Sequence, residues 1–167
     1  AMVHVGGYAL YLSPQEIGLG SRESVADVAR VLARYCDGIM ARVFGHHLVE
    51  ELAKWAPVPV INGLSDLLHP CQILSDLLTA REAGLDIVTM KAAWIGDGNN
   101  MANSWINAAR KLGFTLKLAC PQGYDPQMPL DSDNLILVRD PFEAAQGSNM
   151  ISTDVWSSMG QESETEI

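Results

Sequence analysis

The chain has 167 residues, a formal net charge of −9, 48% apolar and 19% charged residues, the balance of a globular protein with a sizeable core rather than a disordered or fibrous one. That much negative charge opposes nucleic acid or an anionic membrane as a global partner, while still allowing a local basic pocket for a small anion. No apolar stretch reaches the ~20 residues of a membrane span, and residues 1–30 lack the basic, apolar and small-residue order of a signal peptide, so a cytoplasmic location is expected.

In chain order, Val3-His4 ahead of Gly6-Gly7 reads as a helix tail with its C-cap, so the chain is expected to open inside an element that started earlier, and Tyr8 to Leu12 reads as a strand. Ser24 caps a helix with Asp27 in its first turn and Val25, Val28, Leu32 and Tyr35 on one face. Gly38 to Ala41 forms a buried strand ending at Arg42, followed by a helix through Leu48, Leu52 and Trp55. Pro57 to Ile61 predicts a short strand, Asn62-Gly63 a turn, and Pro70 the start of a helix over Cys71 to Ala83 with Ile73, Leu74, Leu77 and Leu78 inward, closed by Gly84. A second set follows: strand Met90 to Ile95, helix Asn99 to Leu112, strand Thr115 to Cys120, strand Leu135 to Val138, helix from Asp140 and strand Met150 to Thr153. Asp140-Pro141-Phe142-Glu143 supplies a capping residue, a first-position proline and a third-position acid.

Alternation of strands and helices with short polar joints predicts an α/β fold of two parallel-sheet domains with helices on both faces and a ligand cleft between them. The joint at Gly84-Leu85-Asp86 divides the chain into residues 1–84 and 85–167. Cys36, Cys71 and Cys120 are odd in number and widely spaced, which provides neither a disulfide framework nor a Cys-x-x-Cys knuckle. His46-His47 are adjacent and point different ways, so no metal site is expected.

Trp94-Ile-Gly-Asp-Gly-Asn-Asn100, an apolar strand running through a glycine turn into an Asn-rich helix, builds a seat for an anionic oxygen at the helix N-terminus. Gly96-x-Gly98 also opens like a dinucleotide fingerprint, but Met101 stands at the third glycine position and the next strand ends in Pro121-Gln122-Gly123 instead of an acid. Ligands of open α/β sheets sit beyond the carboxyl ends of the strands. Arg42, His69 with Gln72, Asp97 to Asn100, and Asp154 all fall at such ends. Each has a plain structural alternative: a surface ion pair for Arg42, a helix cap for His69, a backbone contact for Gln72 and a turn for Asp154.

His69-Pro70-Cys71-Gln72, Trp94-Ile-Gly-Asp-Gly-Asn-Asn100 and Asp154-Val-Trp-Ser-Ser-Met-Gly-Gln161, in that order, resemble the ornithine carbamoyltransferases, as do Ala41-Arg42-Val43-Phe44 and Ile61-Asn62-Gly63-Leu64-Ser65-Asp66. Aspartate carbamoyltransferases share the His-Pro-x-Gln segment and lack the Ser-Met-Gly loop. The resemblance implies attack of an amine on the carbonyl of carbamoyl phosphate, with no metal or organic cofactor, and a homotrimer that shares residues between subunits. By position it implies Arg42 and His69 as catalytic donors, Arg42, His69 and Gln72 as carbamoyl phosphate contacts, and Asn100, Asp154, Ser158 and Met159 as L-ornithine contacts. It also places a Ser-Thr-Arg-Thr loop before Ala1 and a His-Cys-Leu-Pro loop after Ile167, and the segment Gln127 to Asn134 is shorter than usual there. The chain therefore reads as the tail of a carbamoyl phosphate domain and the front of an ornithine domain, and by itself is expected to be inactive. Carbamoyl transfer to another amine such as aspartate, or a noncatalytic small-anion-binding α/β module, are the alternative readings.

Overall fold

The structure, a computed structural model, describes residues 2–155, so Ser158 and Met159 lie outside the described residues. Packing groups the chain into two compact units, one made of the residues up to Met40 with His47–Ile61, the other of Ala41–His46 with the chain from Asn62 onward.

In the first unit, Met2–Val5 is a 3-10 turn closed by Gly6 at a φ of 80°. Tyr8 to Leu12 is not a strand. A strand needs a ladder partner for its N–H and C=O groups, none is present among the described residues, and Tyr8, Leu10 and Tyr11 are exposed. Ser13 and Glu16 form a reciprocal capping box that starts α1 (Pro14–Ile17), a turn of helix not foreseen from the sequence. Helix α2 (Val25–Leu32) starts at Ser24, whose hydroxyl accepts from Asp27 N at 3.1 Å, and buries Val25, Val28 and Ala29. Tyr35 departs from the expected face: Arg34 N and Tyr35 N bond three residues back, and that tighter winding swings Tyr35 off the stripe into solvent.

Strand β1 (Ile39–Arg42) alternates buried and exposed residues, and α3 (His46–Trp55) buries Val49 and Leu52. Strand β2 (Val60–Leu64) pairs with β1 and runs later than expected, taking Asn62 and Gly63 into the strand. Pro57 and Pro59 have no N–H to contribute to a ladder, and Pro59 serves only as acceptor from Ile39 N at 2.9 Å. The turn comes at Ser65–Leu68, closed by Ser65 N to Leu68 O at 2.9 Å.

The second unit is organised by a parallel sheet in the order β5-β4-β3-β6, where β3 is Lys91–Ile95, β4 Thr115–Ala119, β5 Leu135–Val138 and β6 Met150–Thr153. Trp94 stands opposite Leu118 on one side and Ser152 on the other. Alternation along the strands divides the core in two. Ala92, Trp94, Leu116 and Leu118 face α4 (Pro70–Glu82) and α5 (Asn100–Leu112), where they meet Ile73, Leu77, Trp105 and Ile106. On the opposite face Ala93 and Ala119 leave room only for Ala144 of the short α6 (Pro141–Ala145). Helices thus cover both faces of a parallel sheet, as the pattern of elements predicts. Leu74 and Leu78 were expected inward and are exposed, because Ile73, Leu77 and Ala80 already form the stripe of α4 that the core accepts.

At the edge of this core the chain 121–126 crosses the β3–α5 turn. Gly98 N donates to Tyr124 O at 2.7 Å, and a Cβ at Gly98 would stand 2.1 Å from Pro126 N and 2.3 Å from Asp125 C. Backbone on the far side cannot yield as a side chain would. Gly98→Ala is therefore expected to cost about 1–3 kcal/mol, measured by denaturant unfolding of the second unit's tryptophan signal; a midpoint unchanged from wild type would contradict the close approach.

Candidate active site

Ser65 to His69 is an irregular segment whose backbone polar groups need partners, and α5 supplies them. Asn100, Asn103 and Ser104 share one face of the helix by their i, i+3, i+4 spacing. Asn100 Nδ2 donates to Ser65 O at 2.9 Å and Asn103 Nδ2 to Leu67 O at 3.2 Å, while Ser104 Oγ accepts from His69 N at 2.7 Å. The Ser104 hydroxyl passes its own hydrogen to Asn100 O at 2.6 Å. Asn103 and Ser104 are buried. Their polar groups stay inside because each is used, and these bonds add to those of Ser65 N to Leu68 O and of Asp66 N to Phe44 O at 2.7 Å.

The segment ends by placing His69 directly before Pro70, which disfavours a helical conformation for the histidine; its φ of −131° and ψ of 66° lie outside the helix, and its side chain makes no cap. Burial pushes the His69 imidazole below its ordinary value, the nearby Arg42 cation pushes the same way, and the Asp76 carboxylate opposes them. The ring is thus neutral at neutral pH, able to donate one hydrogen bond without carrying charge. Its Nδ1 is buried and has no hydrogen-bond partner among the described residues.

A cavity of about 700 Å³ opens in this unit. Arg42 at the end of β1, His69, Gln72 in the first turn of α4, Asn100 in the first turn of α5 and Asp154 just past β6 all line it. Five of the seven residues that the family resemblance assigns to substrate contacts therefore converge on one space, and the other two, Ser158 and Met159, lie outside the described residues. The polar groups differ in kind around the walls. Arg42 and His69 offer donors suited to anionic or carbonyl oxygens. Asp154 offers a carboxylate suited to an ammonium; its Oδ1 accepts from Val155 N at 2.7 Å and its Oδ2 from Asn99 Nδ2.

Asn99 does two tasks. Its Oδ1 accepts from Met101 N at 2.9 Å and so caps α5, while its Nδ2 holds Asp154. The glycine turn beneath it is fixed by Trp94 Nε1 to Asp97 O at 2.9 Å and by Gly96 at a φ of 149°. Neither Asp97 nor Asn99 lines the cavity, although both belong to the stretch expected to form the seat. Asp76, a cavity residue that accepts from Gln72 Nε2 at 2.9 Å, was not foreseen, nor were Asn103 and Ser104 as supports. The spacing of Asn103 and Ser104 from Asn100 marks a shared face of α5 without naming the partners of that face.

Ser104→Ala leaves the His69 N–H without its acceptor, and an unpaired buried donor costs about 1–3 kcal/mol. Thermal or chemical unfolding of the variant is expected to show a loss in that range, whereas a change within about 0.5 kcal/mol would mean that the bond does not hold the segment.

Known proteins resemble this chain over nearly all its length. The family model for the aspartate/ornithine carbamoyltransferase carbamoyl-P binding domain matches residues 1–82, and that for the Asp/Orn binding domain matches residues 89–167. An ornithine carbamoyltransferase of Syntrophus aciditrophicus is 51% identical over 99% of this chain and 57% of its own length. The anabolic ornithine carbamoyltransferase of Pseudomonas aeruginosa is 52% identical over 98% of this chain and 54% of its own. The solved ornithine carbamoyltransferase of Pyrococcus furiosus superposes with a TM-score of 0.90 at 48% identity, covering 99% of this chain and 56% of the other. The chain thus spans little more than half the length of the curated relatives it matches. With both family models matched in order and together covering nearly all its residues, the chain belongs to the aspartate/ornithine carbamoyltransferase family.

Proposed function

We propose that this chain carries part of the active site of an ornithine carbamoyltransferase, with residues 1–84 as the tail of the carbamoyl phosphate domain and 85–167 as the front of the ornithine domain. The observation that carries the reading is the convergence of Arg42, His69, Gln72, Asn100 and Asp154 on one cavity. Ornithine is favoured over aspartate as acceptor because the similar proteins are named ornithine carbamoyltransferases and because the chain contains Ser158-Met159-Gly160.

In the proposed reaction the side-chain amine of L-ornithine attacks the carbonyl carbon of carbamoyl phosphate. The carbonyl π electrons move onto oxygen, and collapse of the tetrahedral intermediate breaks the C–O bond to phosphate; the proton that the nitrogen gives up passes to the departing phosphate or to water, and L-citrulline and phosphate are released. Arg42 and neutral His69 donate to the oxygens on which negative charge builds, a form of stabilisation worth about 3–4 kcal/mol per donor in a site that excludes water. Gln72 contacts the carbamoyl amide. Asp154 holds the ammonium of the acceptor's amino-acid end, and Asn100 with Ser158 and the Met159 backbone holds its carboxylate; Asn100 retains one N–H for this after donating the other to Ser65. A homotrimer in the cytoplasm, acting in arginine biosynthesis, completes the proposal. No helix of the described residues is long and apolar enough to cross a membrane.

Two substitutions test the assignments in the protein that carries this chain, with citrulline formation as the readout. His69→Ala is expected to lower kcat about 100-fold or more while leaving ornithine affinity nearly unchanged, since its partner is charge that exists only in the transition state; weaker ornithine binding at unchanged kcat would contradict that role. Asp154→Asn keeps the shape and removes the charge, so affinity for an inert ornithine analogue should fall by about 2–5 kcal/mol with carbamoyl phosphate binding held. Equal losses for both ligands, measured by calorimetry at matched Tm, would make Asp154 a scaffold residue. Turnover with aspartate but not with ornithine would replace the acceptor.

A further inference from the structure

A cavity that receives a phosphate dianion is an unfavourable place for a carboxylate, yet Asp76 lines it alongside Arg42, His69 and Gln72. Its hydrogen bond with Gln72 explains what it does there. Gln72 and Asp76 are one helical turn apart on α4, and Gln72 Nε2 donates to Asp76 Oδ1 at 2.9 Å. A side-chain amide has a donor end and an acceptor end of nearly the same shape, and only its neighbours decide which way round it sits. An ionised carboxylate accepts and cannot donate, so it captures the nitrogen and rejects the oxygen.

We propose that Asp76 is a positioning residue that fixes the amide of Gln72 with its oxygen left to the ligand, so that the site selects a donor bearing N–H, the carbamoyl group, over acyl phosphates of the same shape that lack it. The proposal rests on the carbamoyl phosphate reading of the cavity. With Oε1 presented, a carbamoyl NH2 finds an acceptor. An acetyl group in the same place puts a methyl against that oxygen and offers it no hydrogen bond, so the ligand bond worth about 1 kcal/mol is lost. Without a carboxylate at position 76 the amide can turn over, and the nitrogen it then presents gives the carbamoyl NH2 nothing to bond. A second influence of Asp76 exists, since its carboxylate favours the protonated form of His69. That effect is electrostatic and does not distinguish NH2 from CH3.

The test compares affinities for two stable phosphonates that differ only there, phosphonoacetamide and acetonylphosphonate, by calorimetry on the protein that carries this chain. Both bear the same charge, so their ratio cancels any change in the field of the site. Wild type is expected to favour the amide by about tenfold, one hydrogen bond's worth of discrimination. Asp76→Asn accepts either end of Gln72 and should lower the preference about twofold, because the competent orientation is then half populated. Asp76→Lys presents donors only, captures Oε1, and should abolish the preference, with each variant checked for an unchanged Tm. A preference retained in Asp76→Lys overturns the proposal, as does an Asp76→Asn variant whose only change is a lower-pH acid limb in its rate profile. Failure of the wild-type protein to bind either phosphonate or to use carbamoyl phosphate would instead overturn the underlying reading of the cavity.

Discussion

The site depends on the hold that α5 has on the segment from Ser65 to His69. Three side chains on one helical face, Asn100, Asn103 and Ser104, answer backbone groups that no strand or helix satisfies. The cost of burying the Asn103 amide and the Ser104 hydroxyl is recovered because each is hydrogen-bonded, and a satisfied network of this kind permits one geometry where an apolar contact would permit several. His69, the residue on which the proposed chemistry turns, sits at the end of this segment. Its backbone position is therefore set by a helix remote in sequence, while Pro70 directly after it sets where α4 begins.

The same helix carries the side of the cavity proposed for the acceptor. Asn99 caps α5 and at the same time holds Asp154, so the N-terminus of one helix is joined to the end of β6, to the turn after β3 and to the segment before α4. Beneath it the sheet is rigid: Trp94, Leu116 and Leu118 are fully buried between strands and α5. Electrostatics then gives each wall its character. In a chain of net charge −9, Arg42 and the neutral, donor-capable His69 form a local exception suited to an anion, and Asp154 keeps a carboxylate in the wall, chemistry suited to an ammonium.

Much of this was legible in the sequence, for identifiable reasons. Strands β3 to β6 are short apolar runs bounded by Gly, Asn and Asp, and α6 announces itself through Asp140-Pro141; these signals are local and survive into the structure. The failures occurred where a local signal was overruled. Asn62-Gly63 has the composition of a turn and sits in a strand, because the Ser65 turn directly after it bonds to Leu68. Tyr8 to Leu12 has strand residues but, among the described residues, no strand to pair with. Leu74 and Leu78 are apolar at helical spacing, yet periodicity cannot say which of two adjacent stripes the core will accept. For the site, position beyond strand ends found the lining residues Arg42, His69, Gln72, Asn100 and Asp154. Supports such as Ser104, and Asp76 within the wall, were hidden because their partners lie in other elements or in a side-chain orientation that sequence does not encode.

In the proposed enzyme the Ser104 bond matters to function by holding His69, not through general stability. A double-mutant cycle on kcat, comparing Ser104→Ala in the wild-type and His69→Ala backgrounds, tests it most directly in the protein that carries this chain. If Ser104 acts by holding His69, its removal slows the wild-type enzyme and has little further effect once His69 is gone, giving a coupling of about 0.5–3 kcal/mol. Equal slowing in both backgrounds would contradict the account and leave Ser104 as a packing residue of α5.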